Sequence, residues 1–360
     1  MKLISLKNAS PGMKLARSIY NEKCDLLLAQ GMELSIRYIN RLMDLSVSMV
    51  YVEDERLNDV KPEELISNNI KNMTLQALTK TFNNFKDNSN NKNSNAIFNF
   101  NNINVDSLIN QMLDELVHQN EVSIDLADIK THDNYTFLHS LNVCLMSASL
   151  GILLEYNQLA LFDLALGALL HDIGKILIPV NILNKPGKLS DEEFNVMKTH
   201  TKKGFDILKN NTPLKPISFC ITLMHHERFD GSGYPQNLSD KQIHEFSRIV
   251  AIADVYDALT SDRPYRTRLM PEEAIKIMIK ETGKYDPKFF EVFKKHIILY
   301  PVGSSVQLST GDYAFVIGHH PMLPEKPIIR IVKPNDKKTE DVDLMEHNDI
   351  SIIKILDQNI

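Results

Sequence analysis

Five consecutive residues near the middle of the chain, His171 to Lys175, combine an imidazole, a carboxylate and an ammonium group. They read His-Asp-Ile-Gly-Lys and follow an apolar segment, Leu159 to Leu170, that predicts a buried helix. Gly174 and Pro179 then end that helix, so the His-Asp pair is predicted at its C-terminal end. Burying a carboxylate is costly unless it is paired or bound to a metal. By itself, the pair fits a metal site, a capped helix end or a surface ion pair.

Further histidine and aspartate side chains are predicted on the buried faces of other helices. His200, for example, shares a buried face with Gly204 and Ile207 at helical spacing. The inward-facing set is His139, His171, Asp172, His200, His225, His226 and Asp254. Five imidazoles and two carboxylates are more than one metal needs, and they fit two divalent ions bridged by a carboxylate, with iron or manganese suited to such ligands. No cysteine belongs to the set, which disfavours a thiolate zinc site.

The composition of the chain excludes several classes of protein. Its 360 residues, 43% of them apolar, can form two or three domains. A net charge of −6 disfavours binding to nucleic-acid polymers, which requires a basic surface. The three cysteines show no CxxC spacing, which is typical of a reducing compartment. Because no run of eighteen apolar residues and no signal-peptide core is present, we expect a cytoplasmic protein without a membrane span.

Periodicity and composition divide the chain into four parts. Helical spacing dominates the third part, whereas short apolar runs between turn residues mark the first and the last. The parts are a small α/β accessory unit at 1–60, a helical linker at 61–120, a helical domain at 121–298 and a β-rich extension at 299–360. We therefore predict a mainly α fold, with a helical core and small β-rich units at the N-terminal and C-terminal ends.

The parts that flank the helical domain carry no comparable set of side chains. In the linker, a helix opened by Pro62 is predicted over 61–82, and the Asn-rich stretch 83–104 is predicted to be a loop because it offers little apolar surface to bury. In the extension, His319 and His320 lie in a predicted loop, where we do not expect a metal role.

The stretch from about 133 to 296 resembles the HD-GYP family, a branch of the HD phosphohydrolases. The resemblance rests on four motifs in order, HDIGK at 171–175, ILNKPGKLS at 182–190, HHERFDGSGYP at 225–235 and IADVYDALTSDRPYR at 252–266. It implies a helical HD-type bundle, a bridged metal pair and hydrolysis of cyclic di-GMP to pGpG and then GMP in bacterial signalling. The two end units resemble, less specifically, segments that flank this domain in some members.

The resemblance implies that all seven residues of the set are metal ligands, with Asp172 bridging two ions. Some members hold a third metal through a glutamate four residues before the first histidine, and that position is Tyr135 here. A phenol of ordinary acidity is a poor ligand for a hard divalent ion. We therefore expect two iron or manganese ions, and a water or hydroxide bridging them would supply the nucleophile at neutral pH.

The resemblance also implies contacts with the substrate. Lys175 falls near the scissile phosphate and is expected, with Asp172, to take part in catalysis. Tyr234 is the tyrosine of the GYP motif, and Arg263 and Arg266 form a basic pair whose guanidinium groups suit phosphate recognition. Asp133 matches a position that can contact guanine.

Two other functions fit the same residues. One is a catalytically weak receptor that binds cyclic di-GMP, and the other is a hydrolase of a related cyclic dinucleotide or of another nucleotide. The intact ligand set favours an enzyme, because a receptor does not need metals that generate a nucleophile. The N-terminal unit is a candidate surface for a homodimer contact or a regulatory protein.

Overall fold

A helical bundle forms the centre of the protein. The computed structural model describes residues 1–20, 26–45, 47–90, 105–118, 135–212, 214–261, 268–320, 323–332 and 339–356. The helices are α1 (Ile36–Asp44), α2 (Asn68–Asn90), α3 (Val105–Val117), α4 (Tyr135–Leu153), α5 (Gln158–Leu169), α6 (Val180–Leu183), α7 (Asp191–Lys198), α8 (His200–Asn211), α9 (Pro216–Met224), α10 (Glu245–Thr260), α11 (Pro271–Lys280) and α12 (Pro287–His296). Helix α4 packs on α5 and α10, and α9 packs on α5 and α8. These helices share one apolar core, which confirms the mainly α fold.

Local sequence determines where two of the helices at the candidate site begin. The Ser190 hydroxyl accepts a hydrogen bond from the Glu193 backbone N–H, and the Glu193 carboxylate accepts one from the Ser190 N–H, so α7 starts with a capping box. Pro216 occupies the first position of α9, where its missing N–H costs nothing. A turn at Thr199 separates α7 from α8, so His200 begins a new helix instead of continuing the capped one.

Helix α2 starts and ends later than the sequence pattern predicts. It begins at Asn68, so Pro62 does not open it, and it includes residues 83–90 of the predicted Asn-rich loop. The side chains of Phe82 and Phe85 are buried in the main core, and this contact continues the helix past the boundary set by composition. The prediction from composition failed here because it did not consider that the few apolar side chains of the stretch could pack on the core formed by other helices. The remainder of that stretch lies outside the described residues.

Small antiparallel sheets form the two ends of the chain. In the N-terminal unit, β1 (Lys2–Ser5) pairs with β4 (Met49–Val52), and β2 (Ile19–Tyr20) pairs with β3 (Leu26–Leu28). The C-terminal strands are β5 (Ser305–Leu308), β6 (Tyr313–Gly318), β7 (Ile328–Val332), β8 (Thr339–Asp343) and β9 (Ile352–Leu356), in the sheet order β8-β7-β6-β5-β9. Among the residues that the structure describes, no helix combines the length and the apolar character that crossing a membrane requires.

The two ends of the chain pack against each other. Arg330 of β7 is nearly buried, and it pairs with Asp59 at 2.7 Å and with Asp341 at 2.6 Å. The buried ring of Phe315 lies beneath the Lys2 ammonium, 5.1 Å from its centroid, and beneath a guanidinium of the N-terminal unit. The N-terminal unit and the C-terminal sheet are therefore held together by both apolar and charged contacts.

Candidate metal centre

The seven predicted histidine and aspartate side chains meet inside the helical bundle. They come from α4, the turn after α5, the start of α8, the end of α9 and the middle of α10. All are buried except His226, which is partly exposed. Their ligand atoms form two groups, each within 4.8 Å: Asp172, His200, His225 and His226 in the first, and His139, His171 and Asp254 in the second.

The Asp172 carboxylate lies between the two groups. Its Oδ2 is 3.3 Å from Nε2 of His171 and 3.6 Å from Nε2 of His139. Its Oδ1 is 3.4 Å from Nε2 of His200 and 3.8 Å from Nε2 of His225. One oxygen therefore faces each group, which is the arrangement that a bridging carboxylate requires.

Backbone carbonyls orient three of the imidazole rings. Nδ1 of His171, His200 and His225 each donates to the carbonyl three residues earlier, at 2.7, 2.7 and 3.0 Å. A carbonyl can only accept, so Nδ1 carries the proton and Nε2 of the neutral ring presents a lone pair. All three Nε2 atoms are directed at the Asp172 carboxylate, as in metal sites where the second ring nitrogen is held by the protein.

Because the proton of each ring is used at Nδ1, the Nε2 lone pairs can only accept, and a bound cation would satisfy them. Nε2 of His200 and Nε2 of His225 lie 3.4 Å apart, although both rings already use their proton on a carbonyl. Burial lowers the pKa of His200 to about 4 and holds that of His225 well below its usual value, so both rings are neutral. Within the described parts of the chain, the buried Nε2 of His171 and Oδ1 of Asp172 have no hydrogen-bond partner. A buried acceptor without a partner is costly, and divalent ions bound by imidazole and carboxylate would remove that cost.

Both aspartates of the set are ionised despite their burial. Burial raises the pKa of Asp172, but Lys175 and His171 outweigh it and hold the pKa well below its usual range. The pKa of Asp254 is also well below its usual range. Burial raises this pKa, but the hydrogen bond from His139, at 3.2 Å, and the nearby His226 outweigh burial. Two negative charges inside an apolar bundle are a further reason to expect bound cations here.

Asp257 belongs to this centre although sequence reasoning did not select it. Its Oδ2 accepts from Nδ1 of His139 at 2.7 Å, and its Oδ1 accepts from the Asn142 amide at 2.9 Å. Burial lowers the pKa of His139, but Asp254 and Asp257 overcome it and raise the pKa to about 8. Asp257 thus holds Nδ1 of His139 in place, as a backbone carbonyl holds Nδ1 of each of the other three rings, and a bound ion would replace the proton on Nε2. Its spacing of three from Asp254, on one helix face, is the signal that could have revealed it.

Lys175 lies beside the Asp172 carboxylate, and Gly174 lets the His-Asp turn pack closely on α8. The Lys175 ammonium donates to Oδ2 of Asp172, so this predicted catalytic lysine lies at the edge of the centre. A Cβ on Gly174 would lie only 1.9 Å from the backbone oxygen of His200, so no other residue fits without a shift. This close approach brings Asp172 within reach of His200.

The loop 228–238 packs against His226 through Tyr234. The Tyr234 ring packs on the His226 ring in a tilted contact, with centroids 4.8 Å apart and an interplanar angle of 32°. The Glu227 carboxylate accepts from the backbone N–H groups of Gln236 at 2.7 Å and Leu238 at 3.0 Å, which holds the loop in place. Sequence reasoning missed this role of Glu227. Its position directly after two candidate ligands, in His-His-Glu, was the available signal.

The structure does not describe every residue that the sequence predicts for the site. Asp133, Arg263 and Arg266 fall outside the described residues. Tyr135 begins α4, one helical turn before His139. In the C-terminal sheet, the rings of two further histidines are engaged by the protein, His319 by the Tyr300 carbonyl and His320 by Asp343 at 2.8 Å.

Two family models match the chain. An HD-domain model matches residues 112–289, which include all seven side chains of the centre, and a model of a KOW domain associated with HD domains matches residues 305–360. The matched helical domain also carries the GYP motif on the loop that lies over His226. The domain at residues 112–289 belongs to the HD-GYP family.

Curated relatives of this HD-GYP protein are bacterial enzymes by name. A cyclic di-GMP phosphodiesterase of Pseudomonas aeruginosa is 38% identical over 213 residues, covering 59% of this chain and 51% of the relative. One of Thermotoga maritima is 42% identical over 165 residues, or 45% of each chain. A 3'3'-cGAMP-specific phosphodiesterase of Vibrio cholerae is 34% identical over 191 residues, covering 52% of this chain and 37% of the relative. The chain spans about half the length of the first two relatives, and less of the third.

Proposed function

We propose that this HD-GYP protein is a metal-dependent phosphodiesterase that hydrolyses cyclic di-GMP to pGpG and then to GMP. The observation that carries the proposal is the Asp172 carboxylate, which faces one group of ligand atoms with each oxygen. The relatives named as cyclic di-GMP phosphodiesterases support the choice of substrate.

We propose two iron or manganese ions in this centre, since imidazole and carboxylate ligands suit both metals. His200, His225 and His226 would hold one ion, and His139, His171 and Asp254 the other, with Asp172 shared between them. When bound, the ions supply a nucleophile from water at neutral pH and neutralise charge on the phosphate.

The chain itself would bind and orient the substrate. Lys175 is half-buried beside Asp172, so its ammonium can turn toward a phosphate oxygen at the centre. Tyr234 is held over His226 by the anchored loop, where its ring can lie against the ligand. Arg263 and Arg266 are proposed to contact phosphate, and Asp133 to contact guanine.

Turnover of a panel of cyclic dinucleotides tests the proposed reaction. The protein is loaded anaerobically with iron or manganese, and metal per chain is measured alongside the linear product by chromatography. We expect pGpG from cyclic di-GMP, with GMP appearing later, and no product from an Asp172→Ala control. Two bound metals and tight binding of cyclic di-GMP without linear product over hours would instead indicate a receptor.

A second candidate function is hydrolysis of 3'3'-cGAMP. The similarity to the Vibrio cholerae enzyme favours it, and both substrates present the same phosphodiester to the centre. The ratio of kcat/KM for the two cyclic dinucleotides decides between them. A ratio above one for cyclic di-GMP supports the main proposal, and the reverse ratio supports the alternative.

The proposed count of two metals has its own test. Tyr135 occupies the position one turn before His139 where a carboxylate would be needed for a third ion. Anomalous scattering above the iron and manganese edges should therefore show two peaks. A third strong peak within about 4 Å of the pair, the spacing of ions that act together, would contradict the count.

A further inference from the structure

Phe194, an aromatic residue that contacts Tyr234 beside the metal centre, has no role in the function proposed so far. Phe194 of α7 is 43% exposed, so part of its ring is accessible to a ligand. Its ring meets the Tyr234 ring edge-on, with centroids 6.2 Å apart at 80°. Because Tyr234 in turn lies on His226, aromatic rings continue from the candidate ligands to the protein surface.

Lys198, one turn further along α7, brings a positive charge to this surface. Its ammonium lies 4.7 Å from the Phe194 centroid and 5.8 Å from the Tyr234 centroid. Its hydrogen bond goes to the neutral Asn195 amide at 3.2 Å. Lys185, by contrast, is paired with the Glu193 carboxylate. The charge of Lys198 is therefore available to an anion that reaches the Phe194 ring.

Helix α7 fixes the positions of Phe194 and Lys198 relative to each other. Phe194 and Lys198 lie four residues apart on one face of α7, and the capping box at Ser190 holds the start of that helix. A flat apolar ring beside a cation matches one half of a cyclic dinucleotide, which offers a purine face and a phosphodiester. Stacking of bases on aromatic side chains is a general mode of nucleotide binding.

We propose that Phe194 and Lys198 form a subsite for the half of the substrate that is not being cleaved. Phe194 stacks on a purine base, and Lys198 neutralises the second phosphodiester. This inference rests on the proposed function, because it takes the phosphodiester at the metal centre as given. It assigns substrate recognition to α7, outside the GYP loop and the predicted arginines.

Variants of Phe194 separate stacking from packing. Phe194→Leu keeps apolar bulk against Tyr234 but cannot stack, whereas Phe194→Trp keeps a flat ring. We expect Phe194→Ala and Phe194→Leu to raise KM for cyclic di-GMP about 10-fold or more, and Phe194→Trp to stay near wild type. Metal content and turnover of methyl p-nitrophenyl phosphate, a diester without a purine, should not change. Tyr38→Ala, at an exposed aromatic residue of the N-terminal unit, is the matched control.

Lys198→Gln tests the charge. We expect weaker binding of cyclic di-GMP and a smaller loss of affinity with added salt than in wild type, because one screened attraction is gone. The control is Lys209→Gln, since Lys209 also lies over a phenylalanine ring, at 5.6 Å, on α8. A wild-type KM and salt dependence in Lys198→Gln would remove Lys198 from the subsite.

Binding of a non-hydrolysable phosphorothioate analogue of cyclic di-GMP to the metal-loaded protein separates this inference from the proposed function. If the wild type binds the analogue without turning over the natural compound, and Phe194→Leu weakens that binding, the subsite stands while the enzymatic proposal fails. A wild-type Kd in Phe194→Leu overturns the subsite alone. Equal losses in binding of the analogue and in turnover of the small diester would show that Phe194 only supports the centre. If the protein binds no cyclic dinucleotide, both proposals are overturned.

Discussion

Replacing Asp257 should weaken one metal site and spare the other. Asp257 accepts hydrogen bonds from Nδ1 of His139, from the Asn142 amide and from the Ser261 hydroxyl, and all of these groups are buried. His139 belongs to only one of the two groups of ligand atoms. A change at Asp257 therefore acts on one ion through the orientation and basicity of a single imidazole.

The size of the effect follows from these contacts. In Asp257→Asn, the amide oxygen can still accept from His139, but a charge-assisted hydrogen bond becomes a neutral one, a loss of about 1 to 1.5 kcal/mol. That corresponds to about 10-fold in affinity for one ion. In Asp257→Ala, the hydrogen bond from Nδ1 of His139 to this carboxylate is lost, which costs about 1 to 3 kcal/mol, or up to about 100-fold in affinity for one ion.

Competition with a graded chelator series, followed by elemental analysis, measures the two affinities separately. We expect Asp257→Asn and then Asp257→Ala to release one ion at progressively weaker chelation, while the second ion stays near its wild-type affinity. The control is Asp163→Asn, which alters a buried carboxylate whose partner is Lys215 at 3.0 Å, and it should keep both ions. Two unchanged affinities, or equal loss of both ions, would refute the reasoning.

Five further substitutions test other parts of the site. Asp172→Ala should remove both metals or nearly so, whereas His200→Ala should lose one preferentially; two metals per chain in Asp172→Ala would contradict the shared carboxylate. Gly174→Ala should cost about 1 to 3 kcal/mol of stability, because its Cβ would lie 1.9 Å from a backbone oxygen of α8, and an unchanged Tm would count against this. Glu227→Gln should raise KM with metal content retained, because an amide oxygen cannot accept from both backbone N–H groups as well as a carboxylate does; an unchanged KM would argue against the anchoring role. Arg263→Ala should weaken cyclic di-GMP binding about 10-fold or more, the loss of one charge-assisted hydrogen bond, without metal loss, and an unchanged Kd would remove this role.

The sequence by itself determined the class of fold and the identity of the clustered side chains. Helical periodicity placed His200 and Asp254 on buried faces, and the apolar run before His171 placed the His-Asp pair at a helix end. Both inferences depend on neighbours within a turn or two of helix, so local sequence suffices. The four ordered motifs added the family, which the matching HD-domain model supports.

Tertiary structure alone decided which atoms face each other. No local pattern tells that Oδ1 and Oδ2 of Asp172 point to different groups of histidines, because the rings come from helices far apart in the chain. The same holds for the bond between His139 and Asp257, and for the packing of Arg330 on Asp59 that joins the two ends of the chain. Such contacts depend on how helices and sheets pack, and one sequence without its fold does not specify that geometry.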